Sequence, residues 1–196
     1  LTLAGRNDWP SQLAGPKSVQ KSFFYPSVGA SVLLSEILTL PESISYLKLR
    51  ASWASVGLPF KRFLAYPTFE WDSSTGKYST KSAYPLYDLK PERTDSWEVG
   101  LTVRFLKNFN LDVSFYNTKT YNQTMDTQEL PTGGYSTFYA QTGNVRNRGV
   151  ELSLGYKNTW NKFTWNTNYT FSANKNKILS LIDGYLHPVT GEVISN

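Results

Sequence analysis

Three carboxylates are the side chains of this sequence best placed for chemistry. Glu98, Asp112 and Glu151 occupy polar positions in segments where polar and apolar residues alternate. Two carboxylates at a suitable separation can act as a general acid and base, as in glycoside hydrolysis. Equivalent polar positions also carry basic residues, namely Lys48, Arg50 and Arg104. Because opposite charges on neighbouring strands pair with each other, the pattern favours structural ion pairs over catalysis.

Other catalytic and cofactor chemistry has little raw material here. His187 is the only histidine, and the chain has no cysteine. A Ser-His-Asp triad, a Cys-His pair and a zinc site built from His and Cys are therefore poorly supported. The segment "PTGG" (131–134) does not join a strand to a helix, as a phosphate-binding loop does. We expect no catalytic residue, no cofactor and no metal, and hence no enzyme.

The charge of the chain is modestly basic. The net charge is +5, but the Lys and Arg residues are scattered among acidic and amide residues instead of forming one block. A dispersed charge of this kind is typical of a solvated surface, and no motif that reads nucleic acid is present. We therefore expect no nucleic-acid partner.

Aromatic residues make up 15% of the chain, and several lie between the alternating segments. Such rings stack on the flat faces of sugars and other ligands, although in long loops they also pack the loop together. The candidates for ligand contact are Trp71, Tyr78, Tyr84, Tyr135 and Tyr139.

Alternation with a period of two recurs along the whole chain. In "DSWEVGLTVRF" (95–105), the apolar row runs from Trp97 to Phe105 and the other row is mostly polar. This pattern predicts strands with two unlike faces. We predict an all-β chain without an internal domain boundary, with seven strands at about residues 1–8, 23–36, 44–57, 95–105, 109–126, 147–158 and 162–179.

The apolar faces of these strands could meet either a soluble core or lipid. Long connections follow the first, third and fifth strands and short ones follow the second, fourth and sixth, as in outer-membrane barrels. Several strands reach the roughly 9 to 11 residues that a tilted strand needs to cross a bilayer. Pattern alone leaves an aromatic-rich soluble β-sandwich open as the alternative. Aromatic residues at strand ends could form interfacial girdles: Phe23, Phe24, Tyr25, Trp97, Phe105, Phe109, Tyr156, Trp160, Phe163 and Trp165.

Two motifs carry a family resemblance. "YDLKPERTDSWEVGL" (87–101) and "GNVRNRGVELSLGY" (143–156) resemble the C-terminal barrel part of SusC/RagA-type TonB-dependent transporters of Bacteroidetes outer membranes. Val145 departs slightly from the second motif, and "RNRGVE" (146–151) is expected to fix strand entry through hydrogen bonds and ion pairs. Further matching segments, such as "FFYPSVGASVLLSE" (23–36) and "LKLRASWASVG" (47–57), extend the resemblance over nearly the whole chain.

The resemblance implies a fold, a function and partners. The fold would be an antiparallel, up-and-down transmembrane β-barrel segment, about seven strands of a barrel of about 22. We expect residues 1–196 to form part of the barrel domain, with the plug, signal peptide and final strands outside this sequence. The implied function is TonB-dependent uptake of glycans or peptides across the bacterial outer membrane. The implied partners are the rest of the barrel and its plug, a SusD-like surface lipoprotein, TonB and outer-membrane lipid.

In such a barrel, the apolar row from Trp97 to Phe105 would face lipid. The polar residues would line the lumen or contact the plug; they are Lys48, Arg50, Glu98, Arg104, Asp112 and Glu151. Two other hypotheses stay open. One is a secreted, soluble β-protein that binds carbohydrate through exposed aromatics, and the other, weaker one is an outer-membrane barrel enzyme.

Overall fold

The chain folds into one large antiparallel sheet and two small hairpins. The computed structural model describes residues 1–13, 22–60, 69–80, 90–132, 135–181, 185–186, 191 and 193–194. Its strands are β1 (Thr2–Asp8), β2 (Phe23–Leu33), β3 (Ile44–Leu58), β4 (Phe69–Asp72), β5 (Lys77–Thr80), β6 (Glu92–Phe105), β7 (Phe109–Thr132), β8 (Tyr135–Trp160), β9 (Phe163–Ser180), β10 (Tyr185–Leu186) and β11 (Val193–Ile194). In these residues no helix is long and apolar enough to cross a membrane.

The seven long strands form a simple meander. Their order in the sheet is β1-β2-β3-β6-β7-β8-β9, and each pairs antiparallel with the next. The β4–β5 hairpin lies in the connection between β3 and β6, and β10–β11 follows β9. The predicted all-β, up-and-down architecture with seven strands is confirmed.

The bounds of three strands, β2, β7 and β8, differ clearly from the prediction, and two physical reasons account for the differences. β2 ends at Leu33, where the alternation breaks, and a 3-10 turn (Leu34–Glu36) continues the chain. β7 and β8 extend to 24 and 26 residues, so the predicted long loop between them is mostly a continuing strand pair. Backbone hydrogen bonds hold such a ribbon together even where neither face is apolar, and its sequence then shows no alternation.

The register places like residues in common rows across the sheet, since side chains of directly paired residues lie on the same face. One row is apolar and consists of Ala30, Ala51, Val99, Phe115, Val150 and Ala173. The next row is polar and consists of Ser31, Arg50, Gly100, Ser114, Glu151 and Ser172. The sheet thus has one apolar face and one polar face.

The apolar face is not covered by a second layer of the described chain. Val99 is 39% exposed and Phe115 is 54% exposed, although both lie in the middle of the sheet. Among the described residues, the hydrophobic side chains that are buried are Leu13, Phe23 and Phe60. A β-sandwich needs apolar side chains from two sheets packed together. The described residues form no such core.

Aromatic residues flank the apolar face. At the end with short turns, Phe109 lies with its ring centroid 5.2 Å from Phe105 and 4.9 Å from Tyr156. At the other end Trp53 and Trp97 are directly paired. The nine residues from Trp97 to Phe105 match the roughly 9 to 11 residues that a tilted strand needs to cross a bilayer.

Two predicted girdle residues, Phe23 and Tyr25, lie on the face opposite the apolar one. Phe23 is 5% exposed and packs edge-to-face on Tyr25, with 4.8 Å between ring centroids. Phe24 is 63% exposed, since consecutive strand residues point to opposite faces. Only Phe24 of these three residues is on the face that carries Val28.

Candidate functional site on the polar face

Arg50 is the centre of a charged network on the polar face. Its Nη1 and Nη2 atoms donate to Asp112 Oδ2 and Oδ1 at 3.0 and 2.8 Å. Nη2 also donates to Ser114 Oγ at 2.6 Å, and Nη1 donates to Thr102 Oγ1 at 3.1 Å. The two-point contact between a guanidinium and a carboxylate fixes orientation as well as charge.

This network spans three strands because the middle strand has no side chain where the Arg50 side chain crosses it. Arg50 lies on β3 and Asp112 on β7, with β6 between them. Gly100 of β6 lies directly opposite both Arg50 and Ser114, and a Cβ atom there would overlap the guanidinium of Arg50. The missing side chain therefore provides the path along which Arg50 crosses β6.

Further polar contacts surround this core. Thr102 Oγ1 donates to Asp112 Oδ2 at 2.6 Å, and Glu98 Oε1 lies 3.7 Å from Arg50 Nε. Arg50 therefore links two of the three carboxylates that the sequence singles out. Since both carboxylates are held by one guanidinium, their arrangement is that of an ion-pair network and not of an acid-base pair.

The remaining polar-face candidates have separate environments. Arg104 lies over the ring of its cross-strand neighbour Tyr46, with Cζ 5.0 Å from the ring centroid. Lys48 is paired in register with Thr102. Glu151 is paired with Ser114 and Ser172 and lines a shallow recess together with Asp112. The sheet thus gathers all six residues on one face.

Glu92, from the first family motif, holds an irregular part of β7. The pairing of β7 with β8 shifts between Thr120 and Gln123, where Asn122 has a φ of 55°. The backbone N–H of Thr124 donates to Glu92 Oε1 at 3.0 Å. Glu92 thus supplies an acceptor to a backbone donor beside the irregularity, a role that the sequence pattern did not reveal.

Gln141 joins the same region to the residue that precedes the motif's proline. Its side-chain Oε1 accepts from the Lys90 N–H at 2.6 Å, and its Nε2 donates to the Lys90 carbonyl oxygen. The Gln141 amide thereby imitates a strand partner for Lys90. It fixes the entry of β6 against the extended β7–β8 hairpin.

The second motif contributes less bonding than expected. Asn147 Oδ1 is buried and has no hydrogen-bond partner among the described residues. Gly149 lies opposite Tyr116, whose ring occupies the space that a Cβ would need. The expected ion pairs of "RNRGVE" are not formed within the described residues. The motif contributes the close packing of Gly149 against Tyr116 and two hydrogen bonds to β9: Asn144 Nδ2 donates to Ser180 Oγ at 2.8 Å, and Ser153 Oγ donates to Asn168 Oδ1 at 3.2 Å.

The β4–β5 hairpin presents aromatic candidates outside the large sheet. Trp71 and Tyr78 are directly paired, with ring centroids 4.9 Å apart and planes at 64°. They are 58% and 71% exposed. Tyr139 is half-buried in β8; Tyr135 also belongs to β8, and Tyr84 lies outside the described residues.

The turn of this hairpin is organised by Asp72. Its carboxylate accepts from Ser74 N–H at 2.9 Å, Ser74 Oγ at 2.6 Å and Thr75 Oγ1 at 2.8 Å. These hydrogen bonds, led by that of the Ser74 side chain, lower the pKa of Asp72 from its ordinary 3.8 to about 2. Gly76 follows with a φ of 62°, a conformation that glycine adopts without strain.

The fold, the two unlike faces and the exposed apolar rows define a segment of an outer-membrane barrel wall. The chain belongs to the TonB dependent receptor-like, β-barrel family, whose sequence model matches residues 1–190. This membership confirms the predicted relationship to SusC/RagA-type transporters and the location in the bacterial outer membrane.

Curated relatives support the same family. TonB-dependent receptor P26 of Formosa agariphila is 29% identical over 193 residues, which cover 92% of this chain and 19% of that protein. TonB-dependent receptor P39 of the same organism is 34% identical over 191 residues, covering 93% and 18%. This chain therefore spans about a fifth of the length of these relatives. Both relatives are named as receptors and not as enzymes.

Solved structures show the same fold. The RagAB peptide importer in its open-open state superposes with a TM-score of 0.75, and in its closed-closed state with 0.78. In both, the identity is 23%, and the match covers 98% of this chain and 22% of the other. The described sheet is thus the fold of part of a known barrel wall.

Proposed function

We propose that the protein to which this chain belongs imports an oligomeric nutrient, a glycan or a peptide, across the outer membrane with energy relayed by TonB. In this proposal the seven-stranded sheet is part of the barrel wall. Its apolar face meets lipid, and its polar face borders the lumen and the plug. The observation that carries the proposal is the charged network around Arg50 on the face opposite the exposed Val99 and Phe115.

A role in the wall explains why the charges are mutually neutralised. A lumen that holds a movable plug has to offer polar contacts without leaving strongly buried, unpaired charges. Arg50, Asp112 and Glu98 satisfy one another. Lys48, Arg104 and Glu151 form no ion pair with another described residue, so their charged groups would be open to lumen water or plug residues, that of Arg104 from its position over the Tyr46 ring. No chemical step is assigned to any of these residues, and the proposed protein is a transporter and not an enzyme.

The loops on the side with long connections are the proposed place of cargo contact. The exposed pair Trp71–Tyr78 offers two rings at a fixed mutual angle, which suits the apolar faces of sugars or peptide side chains. Tyr84, Tyr135 and Tyr139 belong to the same proposal. Its partners are the rest of the barrel, a plug, TonB and a SusD-like surface lipoprotein above the mouth.

The soluble, secreted carbohydrate-binding alternative is not favoured. It requires the apolar face to be covered by a core, and the described residues form none. Membership of an outer-membrane barrel family also opposes it.

Uptake by cells that produce the full-length protein tests the proposal. We expect labelled oligosaccharides or oligopeptides to accumulate only when TonB and the proton gradient are intact, and the labelled class that accumulates identifies the cargo. Accumulation of neither class, or equal accumulation without TonB, would refute import. The double variant Trp71→Ala, Tyr78→Ala should reduce uptake, whereas Trp160→Ala, an exposed and stacked aromatic at the short-turn rim, should not.

A further inference from the structure

Five cationic side chains gather where the apolar face ends on the side of the long connections. Lys119, Arg146 and Lys177 form one row across β7, β8 and β9. Arg148 and Lys175 are directly paired in the next row, where β7 contributes Asn117. These five residues, called the basic patch below, share the face that carries Phe115 and Val150.

The basic patch has no internal neutralisation. None of the five residues forms an ion pair with another described residue. Asp95 continues the first row onto β6, but its carboxylate is already held by Arg93, with 3.0 Å between Nε and Oδ1. Like charges directly opposite each other destabilise a sheet. Arg146 faces a lysine on each side, so this arrangement calls for an external anion.

The position of the patch indicates the source of that anion. The row of the basic patch that lies nearest the apolar residues consists of Trp97, Asn117, Arg148 and Lys175. The row next to it is apolar and consists of Val99, Phe115, Val150 and Ala173. A recess is lined by both apolar and cationic side chains, among them Trp97, Phe115, Arg148 and Lys175. An amphipathic ligand with an apolar tail and an anionic head matches this sequence of surfaces. Outer-membrane barrels carry their longer loops on the extracellular side, which places the patch at the outer leaflet.

We propose that the basic patch binds the net anionic, phosphate-bearing headgroups of outer-leaflet lipids. The acyl chains would lie against Phe115 and Val150, and the phosphate would lie between Arg148 and Lys175, with Trp97 at the boundary. The inference rests on the proposal that the apolar face meets lipid. It adds a defined lipid site, which would anchor the β7–β9 part of the wall at a fixed depth.

Lipid titration of the full-length protein tests this site. The protein in neutral detergent is titrated with phosphatidylglycerol or with phosphatidylcholine of the same chains, and bound lipids are counted by native mass spectrometry. The test variant is Arg148→Gln, Lys175→Gln. The matched control is Lys157→Gln, Lys162→Gln, which removes two exposed cations at the short-turn rim.

The expected result is preferential binding of phosphatidylglycerol that weakens roughly thirtyfold in the test variant and is unchanged in the control, because each interfacial cation contributes about equally. Equal affinity in wild type and test variant would overturn the site. Displacement by an equal concentration of inorganic phosphate would overturn lipid as the source. If the double variant does not fold, Lys177→Gln serves as the test variant and should weaken phosphatidylglycerol binding about fivefold. Unchanged binding in that variant would also overturn the site.

The titration also separates this inference from the proposed import. If the test variant loses the preference for phosphatidylglycerol, its binding of phosphatidylcholine still measures the contact of the apolar face with lipid. A wild-type protein that fails to take up cargo would refute import without altering the lipid affinities. Equal lipid affinities would refute the basic patch without altering uptake.

Discussion

Arg50 and Asp112 are 62 positions apart in the sequence and are joined by two hydrogen bonds across an intervening strand. The contact ties β3 to β7 on the polar face, in addition to the backbone ladder that joins each to β6. About a third of each side chain is exposed, so water screens the pair only in part. This link gives the central strands of the wall a fixed mutual register.

Breaking the link should destabilise the wall. Arg50→Gln should lower the free energy of unfolding of the full-length protein by about 1 to 2 kcal/mol, since it leaves Asp112 without its charged partner and exposure limits the loss. Urea unfolding in detergent measures this effect, with Lys48→Gln on the same strand as the control. Adding Asp112→Asn should restore part of the loss, and full additivity of the two substitutions would contradict the coupling.

Gly100 should be intolerant of a side chain because of Arg50. Gly100→Ala is expected to cost about 1 to 2 kcal/mol by pushing the guanidinium off β6. Gly155→Ala is the matched control, because the nearest atom to a Cβ at that strand position is 3.6 Å away. In an Arg50→Ala background the Gly100→Ala cost should largely disappear. A cost that persists there would show that Arg50 is not its cause.

Glu92 should protect the irregular segment of β7 from opening. Glu92→Ala removes the acceptor of the Thr124 N–H, so we expect amide exchange in peptides covering residues 120–126 to accelerate about tenfold. Glu92→Gln keeps an acceptor oxygen and should change the exchange less. If both variants exchange like the wild type, the hydrogen bond does not stabilise this segment.

The β4–β5 hairpin should respond to acid through Asp72. The pKa of this carboxyl is about 2 in the folded hairpin and ordinarily 3.8, so its ionised form stabilises the folded hairpin. That contribution is complete above about pH 4 and is lost as the pH falls towards 2. The fluorescence of Trp71, taken as wild type minus Trp71→Phe, should change in this range. Asp72→Asn keeps an acceptor but cannot ionise, and an unchanged acid transition in that variant would exclude Asp72 as its source.

The sequence predicted those parts of the strands in which one face is apolar and the other is polar along the whole length. Alternation located all seven strands, and it placed Arg50 and Asp112 on the same face. It missed the end of β7 after residue 126 and the part of β8 before residue 147, because a ribbon with polar surroundings on both sides has no period-two pattern. It also missed the β4–β5 hairpin, although "FEWDSSTGKYST" (69–80) carries a glycine turn between two short alternating runs.

For the charged network on the polar face, the sequence predicted which residues share that face. It did not predict which of them form hydrogen bonds or ion pairs with each other. The pairing of Arg50 with Asp112 depends on register and on the absence of a side chain at Gly100, two properties that single-strand patterns do not contain. The basic patch was hidden for a similar reason. Its five residues lie in three separate segments of the sequence, and only the pairing of β7, β8 and β9 brings these segments together.

The central claim is that the apolar face of the sheet meets lipid and the polar face meets the aqueous lumen. Cysteine scanning along β6 tests it directly, since the chain itself has no cysteine. Each position from Glu98 to Val103, except Gly100, where a side chain would displace Arg50, is replaced in turn by cysteine in an otherwise cysteine-free full-length protein in lipid bilayers and carries a nitroxide label. Collision rates are then measured with oxygen, which partitions into lipid, and with a water-soluble nickel complex. We predict that labels at Val99, Leu101 and Val103 collide mainly with oxygen, and that labels at Glu98 and Thr102 collide mainly with nickel. Equal accessibility along the strand, or the reverse alternation, would contradict the account.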